Sequence, residues 1–213
     1  MALEFDTVEH ENLGEIVFNK IADALIRGNL QSGDRVRIRK LANEMGLSVT
    51  PVRDAILRLV QDQALVLLNS RDIRVRTLTL PEYVEIRNIR VELEGLAAEE
   101  AARCATPADI AHLEELLKRN ELALAQNSFK EAVEINQLFH FAMADIAKMP
   151  TLKGILKRLW LQMGPLIASK YEAGGRSMIE HHYPIVAAIR AGDAQMARQA
   201  IREDIMKGGL ALF

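Results

Sequence analysis

The sequence predicts a mainly α-helical protein with two domains, a small N-terminal unit of three helices and a β-hairpin followed by an all-α bundle of six helices. Three observations support this fold class. Apolar residues recur at helical spacing along most of the chain, a hairpin pattern occupies residues 64–77, and every strong periodic signal after Leu80 is helical. The boundary is predicted near Leu78, which gives domains of residues 10–78 and 79–213.

The composition is that of an ordinary globular protein, since 49% of the 213 residues are apolar and 26% are charged. A net charge of −2 argues against a protein that coats nucleic acid or an anionic membrane along its whole length. Cys104 is the single cysteine, which excludes a disulfide framework within one chain and favours a reducing compartment. The first residues are acidic, and no run of about 18 apolar residues occurs. We therefore expect a cytoplasmic protein without a membrane segment.

The N-terminal unit has the pattern of a winged helix-turn-helix. Gly28 ends the first predicted helix, Gly46 ends the second, and Thr50-Pro51 opens the third with the threonine as N-cap. Two short runs of strand character follow, and the second of them alternates apolar and cationic residues. The predicted elements are helices over residues 13–28, 39–45 and from 50 onward, and strands over residues 64–68 and 73–77. This is the order of a helix-turn-helix followed by a wing.

Positive charge is concentrated in this unit. Residues 27–78 carry ten arginines and lysines against five acidic residues, whereas the rest of the chain is acidic. A recognition helix presents polar and cationic side chains at its N-terminus, where they reach base edges in the major groove. The predicted DNA contacts are Arg35, Arg39, Ser48, Thr50 and Arg53, with Arg71 at the wing tip and Arg74 on the wing strand. Arg76 shares a strand face with Arg74 and is expected to follow the phosphates with it. The alternative is that these arginines form only a solvated surface.

The C-terminal domain is predicted to contain helices alone. Thr106-Pro107 begins one of them as an N-cap and first helical residue, and glycines at 174, 175 and 192 mark loops. The predicted helices cover residues 81–105, 107–124, 129–147, 151–168, 177–191 and 194–206. Six helices without a strand favour a bundle.

Four segments resemble a known family. Residues 26–36 and 41–56 resemble the DNA-binding domain of GntR-family transcriptional regulators, with Val49 where members commonly carry an arginine and a wing tip that lacks the usual glycine. Residues 90–98 and 185–193 resemble the ligand-binding domain of the FadR-type branch, and the six predicted helices resemble its shorter VanR-like subgroup. The resemblance implies a ligand-responsive DNA-binding regulator. We expect a homodimer on a palindromic operator, acting as a repressor that a small organic acid releases.

The same resemblance implies a divalent metal held by an Asp, a His four residues later and two further His residues. At the matching positions this sequence has Asn136, His140, His182 and Asp204. Asn136 and His140 are four residues apart and so share a helix face. Two imidazoles, one carboxylate and an amide oxygen suit zinc, with nickel as the second choice. His181 remains an alternative to His182, and a hydrogen-bonded core histidine is the alternative to a metal ligand.

Arg90 is the candidate clamp for the acid, because a guanidinium pairs with carboxylates. An ion pair with Glu94, four residues later, is an equal alternative for this side chain. Trp160 and Met163 are candidates for the pocket wall, although such residues at helical spacing are more often plain core.

Two other functions compete with regulation. A metal-dependent enzyme would use His140, His182 and Asp204 as a Lewis-acid site, but the sequence has no evident general base or nucleophile in a recognisable motif. A helical partner-binding module without DNA affinity would leave the arginine-rich segment unexplained. The regulator is therefore the favoured function.

Overall fold

The computed structural model describes residues 13–69 and 72–208. The helices of this part are α1 (Leu13–Ile26), α2 (Ile38–Met45), α3 (Val49–Gln61), α4 (Leu80–Cys104), α5 (Pro107–Ala125), α6 (Phe129–Ile146), α7 (Pro150–Gly174), α8 (His182–Ala191) and α9 (Ala194–Gly208). The strands are β1 (Arg35–Val36), β2 (Leu65–Asn69) and β3 (Asp72–Val75). The predicted fold class, a winged helix-turn-helix followed by an all-α domain, is confirmed.

In the N-terminal domain, α1 and α3 bury their apolar faces against each other. Ile21 and Leu25 of α1 and Ile56 and Leu59 of α3 are fully or almost fully buried. The strands form an antiparallel sheet in the order β1-β3-β2. Strand β1 has only two residues, too few for a periodic signal, and the sequence did not predict it. It fixes the base of the wing beside α2.

The start of α3 differs from the prediction. Ser48 is the N-cap with an extended backbone, and the helix begins at Val49. Thr50 therefore lies inside the first turn, and the prediction that it caps the helix is wrong. Pro51 is tolerated there because the first backbone N–H groups of a helix have no acceptor within it.

The predicted helices over residues 151–168 and 177–191 also need correction. Helix α7 continues through Pro165 to Gly174. A short 3₁₀ helix over Gly175–Met178 follows, and α8 begins only at His182. Gly175 has a φ of +51°, a conformation that few other residues adopt, which explains why α7 ends there. Pro184 consequently lies in the first turn of α8 and does not bend its interior.

In the C-terminal domain, α4 packs along α9, α5 against α6, and α8 against α9. The centre of this domain is filled by large side chains that are almost completely buried, including Phe139, Trp160 and Tyr171. Among the described helices, none is both long and apolar enough to cross a lipid bilayer.

Helix α7 of the C-terminal domain packs against α1 of the N-terminal domain. A Cβ atom on Gly164 would lie 3.0 Å from the Cα atom of Ile26 in α1, so the helices meet where only glycine fits easily. Gly28, with a φ of +71°, approaches Ala168 in the same way. Ion pairs at 2.6–2.7 Å reinforce this joint, between Arg27 and Glu134 and between Arg158 and Asp62. The DNA-binding domain is thereby packed directly on α7.

Candidate DNA-binding surface and effector site

The N-terminus of α3 carries the predicted base-reading residues. Ser48, Thr50 and Arg53 are all exposed, and so is Arg39 on α2. The buried face of α3, which includes Val52 and Ile56, points into the domain core. The polar and cationic face is therefore free to enter a groove of DNA.

Two of the predicted wing contacts also have a structural role. Arg35 and Arg74 lie directly opposite each other on β1 and β3. Both pair with Asp72, at 3.4 Å and 3.2 Å, and Arg74 also donates a hydrogen bond to the carbonyl of Gly33 at 3.2 Å. Asp72 offsets the repulsion between like charges placed opposite each other. More than a third of each arginine side chain stays exposed, which keeps positive charge on the wing. The predicted tip residue, Arg71, lies outside the described residues.

The expectation for Arg76 is wrong. Its guanidinium donates hydrogen bonds to Gln63 at 2.6 Å, Gln162 at 3.1 Å and Glu82 at 2.6 Å. These partners belong to the end of the helix-turn-helix, to α7 and to α4. Arg76 thus holds the wing against the C-terminal domain and does not follow phosphates. Strand alternation gives the face of a residue, but it carries no information on a partner 86 positions away.

The C-terminal domain contains a buried polar cluster formed by three helices. His140 of α6, His182 of α8 and Asp204 of α9 each place a potential ligand atom within 4.8 Å of the others. Both histidine Nε2 atoms lie 3.5 Å from an oxygen of Asp204. Asn136, one turn before His140, is 5% exposed, and its Oδ1 atom has no hydrogen-bond partner. The four residues singled out in the sequence are therefore neighbours in the fold.

Glu94 orients this cluster, and the sequence suggested it only as a partner of Arg90. Its Oε2 atom lies 2.6 Å from Nδ1 of His140, which leaves Nε2 of His140 facing Asp204. Its Oε1 atom accepts hydrogen bonds from Arg90 at 2.6 Å and Trp160 at 3.3 Å. Burial alone would raise the pKa of Glu94, but the charges and hydrogen bonds of Arg90 and His140 hold it at about 2. A carboxylate behind a histidine is the usual support of a histidine ligand.

The electrostatics of the cluster keep the second histidine neutral. Burial, with the nearby His140 and His181, holds the pKa of His182 well below its ordinary value. Burial raises the pKa of Asp204 to about 6, and the charge of Glu94 acts in the same direction. The ring of Phe139 stacks on His182 with centroids 4.2 Å apart and fixes its plane. A neutral imidazole is the form that binds a metal.

The cluster fits a divalent metal ion by its donor chemistry. Both ring nitrogens of His182 are buried without a hydrogen-bond partner, and so is the Oδ1 atom of Asn136. Such unpartnered buried groups are rare in proteins and call for an explanation. Two imidazoles, a carboxylate and an amide oxygen are donors that suit zinc or nickel. His181 is the N-cap of α8, and its ring faces Glu180, so the structure brings His182 and not His181 into the cluster.

A small cavity of about 40 Å³ adjoins the cluster. Asn136, His140 and Asp204 form one part of its wall, and Arg87 and Arg90 of α4 form another. The predicted ion pair of Arg90 with Glu94 is present, and Arg90 also lines the cavity, so its two interpretations are compatible. Trp160 and Met163 lie in the wall as expected. Arg87 was not singled out in the sequence, although its position three residues before Arg90 puts both on one helix face.

A winged helix-turn-helix with an exposed cationic helix, joined to a helical domain with a polar cavity, defines a transcription regulator that carries a ligand-binding domain. The family comparisons identify the particular kind. A model described as bacterial regulatory proteins, gntR family, matches residues 13–75, and the FCD domain model matches residues 85–206. The chain belongs to the GntR family and carries an FCD domain.

Individual relatives agree with this assignment. The chain is 34% identical over 210 residues to the HTH-type transcriptional regulator McbR of Escherichia coli strain K12, covering 97% of this chain and 95% of McbR. The solved structure of E. coli McbR/YncC matches with a TM-score of 0.88 at 32% identity, covering 97% of this chain and 98% of that one. The HTH-type transcriptional repressor GlaR of E. coli is 24% identical over 196 residues, covering 85% and 87% of the two chains. The protein is a transcriptional regulator and not an enzyme.

Proposed function

We propose that the protein is a repressor that binds a palindromic operator as a homodimer and leaves it when a small organic acid binds the FCD domain. The observation that carries the proposal is that one helix, α7, connects the DNA-binding domain with the cavity. The exposed N-terminus of α3 belongs to a domain packed on α7, and α7 also lines the cavity beside the buried polar cluster. The relative GlaR is a transcriptional repressor by name, which supports the negative sign of regulation.

The dimer follows from the geometry of DNA. One recognition helix reads about half of an operator, and two helices related by a two-fold axis read half-sites one DNA turn apart. Phosphate contacts from the wing and from α2 would hold each helix in register. The operator is therefore an inverted repeat.

We further propose that Asn136, His140, His182 and Asp204 hold one divalent ion, zinc before nickel. We also propose that the chain belongs to the VanR-like subgroup, because the described part of its C-terminal domain has six α-helices. When bound, the ion supplies a Lewis-acidic centre for an oxygen of the effector. Glu94 keeps His140 in the tautomer that presents Nε2, and Phe139 holds the ring of His182. Arg90, already aligned by Glu94, lines the cavity and supplies hydrogen-bond donors for the carboxylate.

The signal passes through helices that take part in both sites. Trp160 and Met163 lie in the cavity wall, and the next residue after Met163 is the glycine that meets α1. At the start of α4, Glu82 binds Arg76 of the wing, and Arg87 and Arg90 lie further along the same helix. A ligand changes DNA affinity only by its preference between the two arrangements of the dimer, typically by about 1–3 kcal/mol.

Two measurements test the proposed function. Selection of binding sites from random DNA should return an inverted repeat, and sedimentation should give a dimer in the free and bound states. Selected sites without two-fold symmetry, bound by a single chain, would refute the dimeric repressor.

Elemental analysis tests the metal separately. The purified protein after reconstitution should hold about one zinc per chain. His140→Ala and His182→Ala should lose it, whereas His181→Ala should retain it. No bound metal in the wild type, or equal loss in His181→Ala, would refute the ligand set.

A further inference from the structure

Arg87 is a charged residue of the cavity wall that the proposed function does not use. It is half-buried, it lies one turn before Arg90 on α4, and both side chains line the same cavity. Its Nε atom is buried and has no hydrogen-bond partner. Its guanidinium carbon lies 5.6 Å from the ring centre of Tyr83, a contact that positions the side chain but leaves Nε unsatisfied.

The two arginines differ in their charge balance. Arg90 is neutralised by Glu94 at 2.6 Å, and it stacks on Trp160 with its guanidinium carbon 4.4 Å from the ring centre. Within residues 13–69 and 72–208, the structure shows no carboxylate at ion-pair distance from Arg87. A buried donor on a cationic group is costly unless an acceptor reaches it. Arg87 has a side-chain hydrogen bond with Tyr83, so the acceptor still missing is the one for its Nε atom, and we expect it from a ligand.

The charges around the cavity indicate how many negative groups that ligand carries. The Arg90–Glu94 pair contributes no net charge, and both histidines are neutral when they bind a metal. A divalent ion would be offset only in part by Asp204, and Arg87 adds one further positive charge. A ligand with two negative groups would balance this excess, whereas a monocarboxylate would leave Arg87 unpaired.

The cavity also limits the size of the ligand. Its volume of about 40 Å³ is enough for only a few water molecules, each of which needs roughly 10–15 Å³ of such space. An acyl chain or a sugar acid would require the wall to open. A short diacid requires the smallest opening of the wall, and Met163 and Met178 lie in that wall with unbranched side chains that adapt easily.

We propose that the effector is a short-chain dicarboxylate, with one carboxylate at the His140–His182–Asp204 site and the second bound by Arg87. This inference rests on the proposed function and specifies its ligand class. Arg87 then determines specificity, because it distinguishes a diacid from a monoacid of equal length. The metal site alone provides no such distinction.

Calorimetry of the zinc-loaded protein, with both domains present, against malonate and its monoamide, malonamate, tests the proposal. The two acids have the same length and differ in one negative charge. Wild type should bind malonate more tightly by about tenfold or more, the range expected for a hydrogen bond to a charged group. In Arg87→Gln this preference should disappear while malonamate binding is unchanged, and Arg87→Lys should restore part of it. Arg103→Gln, an exposed arginine on the same helix, is the matched control.

Several outcomes would overturn the inference. One is a preference for malonate that persists in Arg87→Gln. Another is an equal loss of binding affinity for malonate and for malonamate in that variant. Inorganic phosphate, also a small dianion, is the third ligand, and phosphate binding tighter than malonate would refute the dicarboxylate class. Zinc content and operator binding are measured on the same samples. If the wild type binds zinc and operator but does not prefer malonate, only the inference fails. If the wild type binds no zinc or no operator, the proposed function fails as well.

Discussion

At the scale of single residues, Arg53 tests the DNA interface. It is exposed near the N-terminus of α3, and its neighbour Val52 is fully buried. Arg53→Ala should therefore leave the fold unchanged and weaken operator binding by about 1–3 kcal/mol, the value of a base contact. Fluorescence anisotropy with labelled operator measures the loss, and Arg119→Ala on the exposed face of α5 is the control. An Arg53→Ala protein that binds like wild type would remove α3 from the interface.

Glu94 tests the organisation of the buried site. It is fully buried and holds Arg90, His140 and Trp160 at once. Glu94→Gln removes the charge and leaves Arg90 buried without its partner, which should lower the free energy of unfolding by about 3–5 kcal/mol. Zinc affinity should fall about 10–100-fold, as is common when the group behind a histidine ligand is changed.

Urea denaturation of the metal-free protein and competition with a zinc chelator measure the two effects. Glu92→Gln, two residues earlier, changes only exposed ion pairs with Arg198 and Arg202 and should alter neither quantity appreciably. Equal behaviour of the two variants would show that Glu94 does not support the site.

At the scale of elements, α7 offers a matched pair of glycines. A Cβ atom added to Gly154 would meet no atom within 4 Å, whereas one added to Gly164 would lie 3.0 Å from the backbone of Ile26. Gly154→Ala should stabilise the protein by up to about 1 kcal/mol through helix propensity. Gly164→Ala should destabilise it by about 1–3 kcal/mol, because the added methyl group separates α1 from α7. Thermal unfolding compares the two variants, and equal stability would mean that the domains do not meet tightly at α7.

The elements also show how far the sequence determines the structure. Helix starts with strong local signals were predictable, as at Thr106, whose side chain forms a capping box with Asp109. The continuation of α7 through Pro165 was not, because a proline is normally a sign that a helix ends. The two-residue strand β1 depends on pairing with β3, a contact that no local pattern reveals.

In the candidate site, too, some features could be predicted from the sequence and others could not. The spacing of Asn136 and His140 and the family resemblance were enough to identify four residues that the fold brings together. The choice between His181 and His182 required the start of α8, which sequence periodicity placed five residues too early. Glu94 was suggested only as an ion-pair partner, since its contact with His140 spans 46 positions.

At the scale of the whole molecule, the account depends on communication between two surfaces. The exposed face of α3 and the polar cavity belong to different domains. Helices α7 and α4 line the cavity and also contact the N-terminal domain, α7 through α1 and α4 through Arg76. In such an arrangement a ligand alters DNA affinity when it favours one arrangement of the two domains over another and the arrangements differ in their affinity for DNA. The packing of Gly28 and Gly164 at the joint between α1 and α7 is close enough to transmit a small displacement.

Operator affinity of the zinc-loaded protein, measured with and without a saturating organic acid, tests this central claim most directly. The acid is the one that binds most tightly in a calorimetric screen. In wild type and in His181→Ala it should weaken operator binding about 5–150-fold, which corresponds to a coupling of about 1–3 kcal/mol. His182→Ala should bind the operator but should not respond to the acid. An acid that binds wild type without changing operator affinity, or a full response in His182→Ala, would contradict the account.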